Sequence, residues 1–473
     1  MANKSSPGIF DPTTKRKNVA FIKSISGFRG TIGGKEGENL TPQDIVECTA
    51  AYGSWLLQTG AAPKVVIGRD ARPSGAMVTQ LVTATLQALG ISVVDLGLST
   101  TPTVEMAVPR LGAGGGIILT ASHNPKEWNA LKLLNATGEF ISAQDGKTLL
   151  GLLDEGAVSY AAVDDLGTYL QNEEMLDYHI EQVLAHPLVR AAEIRKKGFR
   201  VVVDAVNSSG ALAIPALLKA LGCEVEVLNA EMNGQFAHNP EPLPQHLTEL
   251  CEQVKTSKAD LGIAVDPDVD RLALVGPGGT WIGEEYTLVA VADYVLQHQP
   301  GPTVSNLSSS RALRDITTKH GQMYYASAVG EVNVVNKMKE VEAVIGGEGN
   351  GGIIDPQLHL GRDALIGTAL VLSNMVWANK SINELRASYT DYFMVKDKVA
   401  LSPDLDVEKK LEHIQEKYQH EAAINTIDGL KLDFPEGWIH LRRSNTEPIV
   451  RIYGEANSLA AVNALVARVK ADF

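Results

Sequence analysis

Cysteine is scarce in this sequence, and the three that occur exclude two kinds of stabilising framework. Cys48, Cys223 and Cys251 are far apart among 473 residues, and no two have C-x-x-C spacing. Disulfide-rich secreted domains and cysteine-based zinc sites both need more cysteines at closer spacing. The sequence therefore predicts a protein of a reducing compartment, and we expect it in the cytoplasm.

Positive charge is also in short supply. Lysine and arginine number 42 against 56 aspartates and glutamates, which gives a formal net charge of −14. This balance argues against a broad surface for a phosphate backbone, so we expect no nucleic-acid partner. Anion binding must then depend on local clusters of basic residues.

Long apolar runs are missing too. No stretch of about 18 apolar residues occurs, and residues 1–18 are polar, with Pro7 and Pro12 and no apolar signal-peptide core. We expect neither a membrane partner nor export.

The chain length predicts several domains, since domains usually have about 100–200 residues. An apolar strand, a small polar loop and a helix ended by glycine recur three times, beginning near residues 64, 200 and 303. This alternation predicts an α/β protein with three related α/β domains and mixed sheets. The order of patterns after about Lys396 predicts a C-terminal α+β domain. The predicted domains are residues 1–172, 173–278, 279–392 and 393–473.

Ser122 is the first candidate for chemistry. It follows the apolar strand Ile117–Leu119 within the run TASHNP, residues 120–125. Loops at strand ends in α/β domains present side chains to ligand clefts, although serine, asparagine and proline also favour plain turns. A serine hydrolase is disfavoured because no G-x-S-x-G surrounds Ser122 and because consecutive loop residues, here Ser122 and His123, tend to point apart.

Three aspartates lie on a tight connection between two predicted strands: Asp266, Asp268 and Asp270. Two like charges about 4 Å apart repel by about 4 kcal/mol at an effective dielectric constant of 20, so a cation or protons must neutralise them. Oxygen ligands favour Mg²⁺, Mn²⁺ or Ca²⁺ over Zn²⁺. An EF-hand is excluded because Arg271 and Pro277 occupy its glycine and glutamate positions. Arg271 suits an anion that arrives with the metal, while an acidic surface turn is the alternative.

The loop GEGNGG, residues 347–352, follows a predicted strand at Ala343–Ile345 and formally matches the dinucleotide fingerprint G-x-G-x-x-G. The following residues 353–356 do not begin a helix, and Glu348 would face a pyrophosphate, so nucleotide binding is rejected. We expect Glu348 and Asn350 to bind sugar hydroxyls, with a plain glycine turn as the alternative.

The segment 442–451 combines guanidinium groups, hydroxyls and an amide. Such side chains bind tetrahedral oxyanions, and their concentration in an acidic protein favours a phosphate site over a salt-bridged loop. The candidates are Arg442, Ser444, Asn445, Thr446 and Arg451.

Taken in order, these motifs resemble those of the α-D-phosphohexomutases, the family of phosphoglucomutase, phosphomannomutase and phosphoglucosamine mutase. Two further motifs carry the resemblance: SGFRG at residues 26–30 and GRDARPSG at residues 68–75. The match extends over nearly the whole chain and implies four domains around a central cleft.

The resemblance also implies roles for the candidate residues. Ser122 would be carried as a phosphoserine, whose phosphate would hold Mg²⁺ together with Asp266, Asp268 and Asp270. Arg29, His123 and Lys132 would lie beside the reacting hydroxyl. The sugar would be held by Glu348 and Asn350, and the phosphate that is not transferred by Arg442, Ser444, Asn445, Thr446 and Arg451.

The expected activity is Mg²⁺-dependent interconversion of hexose 1-phosphate and hexose 6-phosphate through a hexose 1,6-bisphosphate. We expect a monomer or small homo-oligomer. Glucosamine phosphate is the leading substrate because the GEGNGG loop is similar to that of family members named as glucosamine mutases. Glucose and mannose phosphates are the alternatives because Ser444-Asn445-Thr446 is closer to the glucose/mannose branch. The sequence departs from the usual family pattern at NALK (residues 129–132), Pro267, Asn350 and Ser327-Ala328. A Mg²⁺-dependent sugar phosphatase and a non-catalytic sugar-phosphate sensor are alternatives of other classes, and the intact serine and aspartates disfavour the sensor.

Overall fold

The computed structural model describes residues 21–24, 27–156, 158–401, 406–443 and 449–473, and the structural statements below concern these residues. Three mixed sheets and one antiparallel sheet follow one another along the described chain. This arrangement confirms the α/β fold class with a C-terminal α+β domain.

The first domain is a mixed sheet covered by helices. Its described elements are β1 (Ile22–Ser24), β2 (Gly27–Thr31), α1 (Pro42–Gln58), β3 (Lys64–Arg69), α2 (Gly75–Ala88), β4 (Ser92–Leu98), α3 (Thr101–Arg110), β5 (Gly115–Leu119), β6 (Trp128–Leu134), α4 (Ala143–Glu155) and β7 (Tyr169–Gln171). The described strands lie in the order β1-β2-β6-β5-β3-β4-β7. Strands β5, β3, β4 and β7 run parallel, whereas β6 is antiparallel to both β2 and β5.

The second domain repeats this plan. Its described helices and strands are α5 (Met175–Ala185), α6 (Ala191–Lys197), β8 (Arg200–Asp204), α7 (Gly210–Ala220), β9 (Glu224–Leu228), α8 (Thr248–Ser257), β10 (Leu261–Val265), β11 (Leu272–Gly276) and β12 (Thr280–Trp281). The sheet order is β12-β11-β10-β8-β9, with β10, β8 and β9 parallel.

The third domain has a smaller sheet in the order β14-β13-β15-β16. Its described helices and strands are α9 (Glu284–His298), β13 (Thr303–Asn306), α10 (Arg311–Lys319), β14 (Tyr324–Ser327), α11 (Glu331–Val341), β15 (Ile345–Glu348), β16 (Gly352–Ile354), α12 (Ala364–Ala378) and α13 (Ile382–Arg386). Strand β16 is antiparallel to β15, and the other pairs are parallel.

The C-terminal domain is an antiparallel sheet with two described helices. Its elements are β17 (Phe393–Ala400), α14 (Val407–Tyr418), β18 (Ala423–Asn425), β19 (Leu430–Asp433), β20 (Gly437–Arg443), β21 (Ile449–Ala456) and α15 (Leu459–Lys470). The strand order is β17-β21-β20-β19-β18.

Strand sequences match their surroundings. Strands β5 and β10 read GGIIL and LGIAV and are buried at every residue, as expected for parallel strands covered on both faces. The first half of β21, beginning Ile-Val-Arg-Ile-Tyr, alternates between half-buried and buried residues, as an antiparallel strand with one covered face does. The burial pattern of each of these strands therefore agrees with the number of sheet faces that are covered.

The second and third domains share one apolar core. A single cluster of buried side chains extends from Ile180 on α5 through Val295 on α9 to Leu370 on α12. Helix α12 packs against α5 and α6 as well as α9. Packing therefore fixes the relative position of the loops that these two domains contribute to the site.

The serine, aspartate and glycine loops each follow the carboxyl end of a central strand. Ser122 follows β5, Asp266 follows β10, and Gly349 follows β15. Ligands bind α/β sheets at these strand ends. None of the helices in the described ranges is long and apolar enough to cross a membrane.

Candidate active site

The loop that carries Ser122 has a strained backbone. Ser122 has φ of +49°, a conformation that residues other than glycine rarely adopt, and its side chain is buried. Its backbone N–H donates to Thr120 Oγ1 over 2.9 Å. Such strain persists only where the surroundings hold the loop.

A buried ion pair holds this loop. Arg72 Nε lies 2.8 Å from Asp70 Oδ2, and neither side chain is exposed. Arg72 NH2 donates to the Ser122 carbonyl over 3.0 Å, and Thr120 Oγ1 donates to Asp70 Oδ2 over 2.6 Å. Since β3 and β5 are neighbouring parallel strands, the GRDAR segment after β3 lies directly beside the serine loop.

The three aspartate carboxylates converge, as their spacing predicts. One oxygen from each of Asp266, Asp268 and Asp270 lies within 4.8 Å of the others, and all three residues are fully buried. Ser122 Oγ donates to Asp266 Oδ2 over 2.7 Å. The serine hydroxyl and the acidic cluster therefore form one site between the first and second domains.

This cluster fits a divalent cation bound by oxygen. Burial, followed by Asp270 and Asp268, raises the pKa of Asp266 well above its usual range. Asp268 Oδ1 and Asp270 Oδ1 are buried without a hydrogen-bond partner among the described residues. A metal ion of the Mg²⁺ class would satisfy these oxygens and remove the repulsion between them.

Lys132 lies against the aspartates. Its Nζ is 2.6 Å from Asp268 Oδ2 and 3.2 Å from Asp270 Oδ2. Burial would lower the pKa of Lys132, but Asp268 and Asp270 outweigh it and raise the pKa. The resemblance placed Lys132 beside the reacting hydroxyl, and the structure adds that it neutralises part of the acidic cluster.

His123 Nδ1 lies 3.4 Å from Ser122 Oγ. The expectation that these consecutive side chains point apart is therefore wrong, because the left-handed backbone at Ser122 brings them to one side. Burial, together with the positive charges of Arg271 and Arg29, lowers the pKa of His123 to about 2. The imidazole is thus neutral and can share a hydrogen bond with the serine hydroxyl.

Two arginines place positive charge beside the serine. Arg29 NH1 donates to Asn124 Oδ1 over 2.9 Å. Arg271 Nε lies 3.9 Å from Asp266 Oδ2 and from Asp270 Oδ1, and it is buried without a hydrogen-bond partner in the described structure. These guanidinium groups suit an anion that approaches the serine.

A cleft of about 580 Å³ joins these groups to the third domain. The predicted site residues that line it are Arg29, Ser122, His123, Lys132, Arg271, Glu348 and Asn350. The structure therefore brings residues of the serine loop, the aspartate loop and the glycine loop to one cavity.

The glycine loop is ordered by its own contacts. Glu348 accepts hydrogen bonds from Asn306 Nδ2 (2.8 Å) and Arg362 NH1 (3.0 Å). Asn350 Oδ1 accepts from the Gly352 N–H over 3.1 Å. Strand β16 follows this loop where a dinucleotide site would have a helix, as the sequence predicts.

Arg362 is a site residue that sequence reasoning missed. Its guanidinium contacts Asp270 Oδ2 (2.7 Å), Glu348 Oε2 (3.0 Å) and Glu331 Oε2 (3.1 Å). It thus connects the aspartate loop of the second domain to the glycine loop of the third. Its only sequence signal is a position immediately before Asp363, the N-cap residue of α12.

The two described residues among the predicted phosphate ligands do not line this cleft. Arg442 and Arg451 are paired across β20 and β21, and neither lines the cleft among the described residues. Arg442 Nε lies 2.8 Å from Asp428 Oδ2, and that oxygen accepts from the N–H of Val329, a residue of the cleft wall. Ser444, Asn445 and Thr446 lie outside the described residues, as does Ser26.

Four family models match the chain in order. They are described as phosphoglucomutase/phosphomannomutase α/β/α domain I (residues 22–157), domain II (177–279), domain III (283–392) and the C-terminal domain (395–471).

Curated relatives match over nearly their whole lengths. A phosphoglucomutase/phosphomannomutase of Thermococcus kodakarensis is 35% identical over 91% of this chain and 94% of the relative. A probable phosphoglucosamine mutase of Methanopyrus kandleri is 32% identical over 92% and 93%. A phosphoglucosamine/phosphogalactosamine mutase of Sulfurisphaera tokodaii is 32% identical over 94% and 97%.

Solved structures have the same fold. A phosphoglucomutase/phosphomannomutase family protein from Burkholderia thailandensis superimposes with a TM-score of 0.81 at 26% identity, covering 95% of both chains. A putative phosphomannomutase from Thermus thermophilus gives 0.79 at 25% identity, covering 96% of this chain and 98% of that one.

Proposed function

Because the chain belongs to the phosphoglucomutase/phosphomannomutase family and is a phosphohexomutase, we propose that Ser122 is its phosphoryl carrier and Mg²⁺ its metal. The observation that carries this proposal is the 2.7 Å contact between Ser122 Oγ and Asp266 within a buried aspartate cluster that opens on the cleft. A hydroxyl beside a metal cluster and guanidinium groups is suited to phosphoryl transfer.

In the first half-reaction, the phosphoserine at Ser122 gives its phosphoryl group to the free hydroxyl of a hexose monophosphate. The bond between phosphorus and Ser122 Oγ breaks, a bond from phosphorus to the sugar oxygen forms, and the proton lost by the sugar hydroxyl ends on Ser122 Oγ. The product is a hexose 1,6-bisphosphate. After it reorients, its other phosphate returns to Ser122, so isomerisation consumes no nucleotide.

The side chains around Ser122 would divide this work. The neutral imidazole of His123 lies 3.4 Å from Ser122 Oγ and is placed to hydrogen-bond that oxygen as the phosphoryl group leaves or returns. Arg29 and Arg271 would offset the charge of the phosphoryl oxygens. Asp266, Asp268 and Asp270 would hold the Mg²⁺ ion, which when bound would polarise the phosphoryl group.

Substrate positioning belongs to the third and fourth domains in this proposal. Glu348 and Asn350 line the cleft and would bind sugar hydroxyls. Arg442 and Arg451, with Ser444, Asn445 and Thr446 of the undescribed segment, would bind the phosphate that is not transferred. Asp428 supports this assignment because it orients Arg442 and also bonds the cleft wall at Val329.

We propose glucosamine phosphate as the leading sugar, with glucose and mannose phosphates as alternatives. Relatives named as phosphoglucosamine mutases support this choice, and a relative named phosphoglucomutase/phosphomannomutase supports the alternatives.

A panel of three substrates tests the proposal. Glucosamine, glucose and mannose 1-phosphates are incubated with Mg²⁺ and a hexose 1,6-bisphosphate activator, and phosphorus NMR follows the products. Formation of 6-phosphates, fastest from glucosamine 1-phosphate, is expected. Release of inorganic phosphate without isomerisation would instead indicate a sugar phosphatase and overturn the proposal.

A further inference from the structure

A second cluster of metal-binding side chains lies outside the active-site cleft. His179, His359 and Asp363 each offer one donor atom, and these atoms lie within 4.8 Å of one another. His179 belongs to α5, His359 precedes α12, and Asp363 caps α12. The side chains of His179 and Asp363 are fully buried, and that of His359 is 12% exposed.

The two imidazoles present the same nitrogen to the same oxygen. Nε2 of His179 lies 2.9 Å from Asp363 Oδ2, and Nε2 of His359 lies 3.3 Å from it. The other nitrogens face oxygens as well: His179 Nδ1 is 2.9 Å from Thr103 Oγ1, and His359 Nδ1 is 3.5 Å from Glu105 Oε2. A metal-ligating imidazole is usually oriented in this way, with its second nitrogen on a carboxylate or another oxygen.

Glu105 supplies an independent observation. It is 2% exposed, and neither of its carboxylate oxygens has a hydrogen-bond partner among the described residues. A buried carboxylate without a donor is costly, and a cation bound to the adjacent His359 would offset that cost.

We propose that His179, His359 and Asp363 bind a divalent transition-metal ion of the Zn²⁺ class, with Thr103 and Glu105 orienting the two imidazoles. Two nitrogen donors and one carboxylate suit Zn²⁺ and its first-row neighbours, whereas the oxygen-only aspartate cluster suits Mg²⁺. The two sites therefore differ in the metals they select. A cavity of about 450 Å³ lined by Glu105, Tyr178 and His359 gives the ion a path to the second site.

The position of this second site indicates a structural role. It joins α3 of the first domain to α5 and to the start of α12. Asp363 Oδ1 accepts the Leu365 N–H over 2.7 Å, so the same carboxylate caps α12. The preceding residue is Arg362, which holds Asp270 and Glu348. A metal ion here would fix the backbone that presents Arg362 to the active site.

The test uses Asp266→Asn protein, so that the aspartate cluster does not compete for the metal. After chelator treatment, Co²⁺ is added to report nitrogen ligation through its visible absorption, and Zn²⁺ is added to measure the gain in melting temperature. We expect one equivalent of Co²⁺, displaced by one equivalent of Zn²⁺. Adding His359→Gln should abolish the spectrum, and adding Glu105→Gln should weaken binding by about 10- to 100-fold.

A matched control is available in His320. Its Nε2 lies 2.7 Å from Asp293 Oδ1, which gives a histidine–aspartate pair without a second imidazole. Adding His320→Gln should leave Co²⁺ binding unchanged. The proposal is overturned if Asp266→Asn protein binds neither metal, or if binding survives both His359→Gln and Glu105→Gln. The cluster would then be a hydrogen-bonded network that needs no metal. Because the Glu105 variant keeps the size of the side chain, it decides the matter even if His359→Gln does not fold.

Discussion

Ser122 combines a strained backbone with a buried side chain, and both features support its assignment as the phosphoryl carrier. We predict that Ser122→Ala lowers the turnover number at least about 1000-fold, equivalent to about 4 kcal/mol of barrier, because the covalent route is lost. Folding should persist, since the Arg72 contact is to the backbone carbonyl of residue 122. Kinetics and a melting curve measure both effects. Full activity in the alanine protein would contradict the assignment, whereas Thr120→Ser serves as a control that keeps the hydroxyl.

The aspartates differ in their partners, which predicts opposite stability effects in metal-free protein. Asp266 is repelled by its neighbours, so Asp266→Asn should leave the protein equally or more stable. Asp268 neutralises the buried Lys132, so Asp268→Asn should destabilise the protein because it leaves that ammonium with one carboxylate instead of two. Both variants should weaken Mg²⁺ binding. Chelator-treated melting curves decide the matter, and equal destabilisation by both variants would show that repulsion is not the governing effect.

Arg362 is predicted to act through the residues it holds. Arg362→Gln removes contacts to Asp270 and Glu348, so it should raise the Mg²⁺ concentration needed for half-maximal activity and also raise the KM for sugar phosphate. Arg362→Lys should restore part of one effect only, since an ammonium cannot fork between two carboxylates. Kinetics at varied Mg²⁺ and varied substrate separate the effects. A change in turnover number alone would instead place Arg362 directly on the transferred phosphoryl group.

Some of these site residues could be predicted from the sequence, and others could not. Ser122 and the aspartates stand in short motifs beside apolar strands, so their convergence could be predicted from strand order. Arg362 and the pair of His179 and His359 are isolated in sequence. Their meaning depends on contacts over more than 90 positions of the chain, such as Arg362 to Asp270, and periodicity carries no information about those.

At the scale of strands and loops, the glycine loop and the β20–β21 pair should control different properties. Glu348 lines the cleft and would bind sugar hydroxyls, so Glu348→Gln should change the ratio of kcat/KM between glucosamine and glucose phosphates. Arg442 would bind a phosphate common to all the sugars, so Arg442→Ala should lower every kcat/KM by about 10- to 150-fold, as expected for a charge-assisted hydrogen bond of about 1.5–3 kcal/mol. Uniform loss in the first variant, or selective loss in the second, would reverse the two roles.

The glycine loop also shows why the fold could be predicted from the sequence more fully than the site. Strand β15 and its loop were predicted because Ala343–Ile345 is apolar and glycines follow. The predicted strand nevertheless began two residues early, since β15 extends from Ile345 to Glu348. Positions 346 and 347 of this strand are glycine because their neighbours leave no room for a side chain. A Cβ at Gly347 would lie 2.0 Å from the Gly352 carbonyl oxygen. Such close approaches arise only from tertiary packing.

At the scale of the whole molecule, the fourth domain would control access to the cleft if it closes over it. The contact between the third and fourth domains would then decide how open the cleft is. Such closure would keep water from the phosphoserine. Polar contacts dominate this interface: Lys431 Nζ donates to the Leu307 carbonyl over 2.6 Å, and His440 Nδ1 lies 2.9 Å from Ser308 Oγ. The three boundaries between the predicted domains stay a prediction. The shared core of the second and third domains indicates that the fourth is the more separable unit.

Lys431 makes this interface sensitive to pH. Burial lowers its pKa from 10.5 to about 8, although Asp433 and Glu455 oppose the effect. Between about pH 8 and 10.5 the unfolded chain therefore binds a proton at Lys431 that the folded chain does not. The contribution of this residue to the free energy of unfolding must then rise with pH across that window, by at most about 3 kcal/mol.

Lys431→Met isolates that contribution, because the other ionisable groups are common to both proteins. Relative to wild type, we expect the variant to lose stability as the pH rises from 7.5 to 10, since only the wild type gains from the discharge of the buried ammonium. Urea unfolding at both values measures the difference, and Lys417→Met is the control because that ammonium is half exposed at the surface. A stability difference that does not change with pH would show that Lys431 titrates normally, and hence that water reaches the contact between the third and fourth domains.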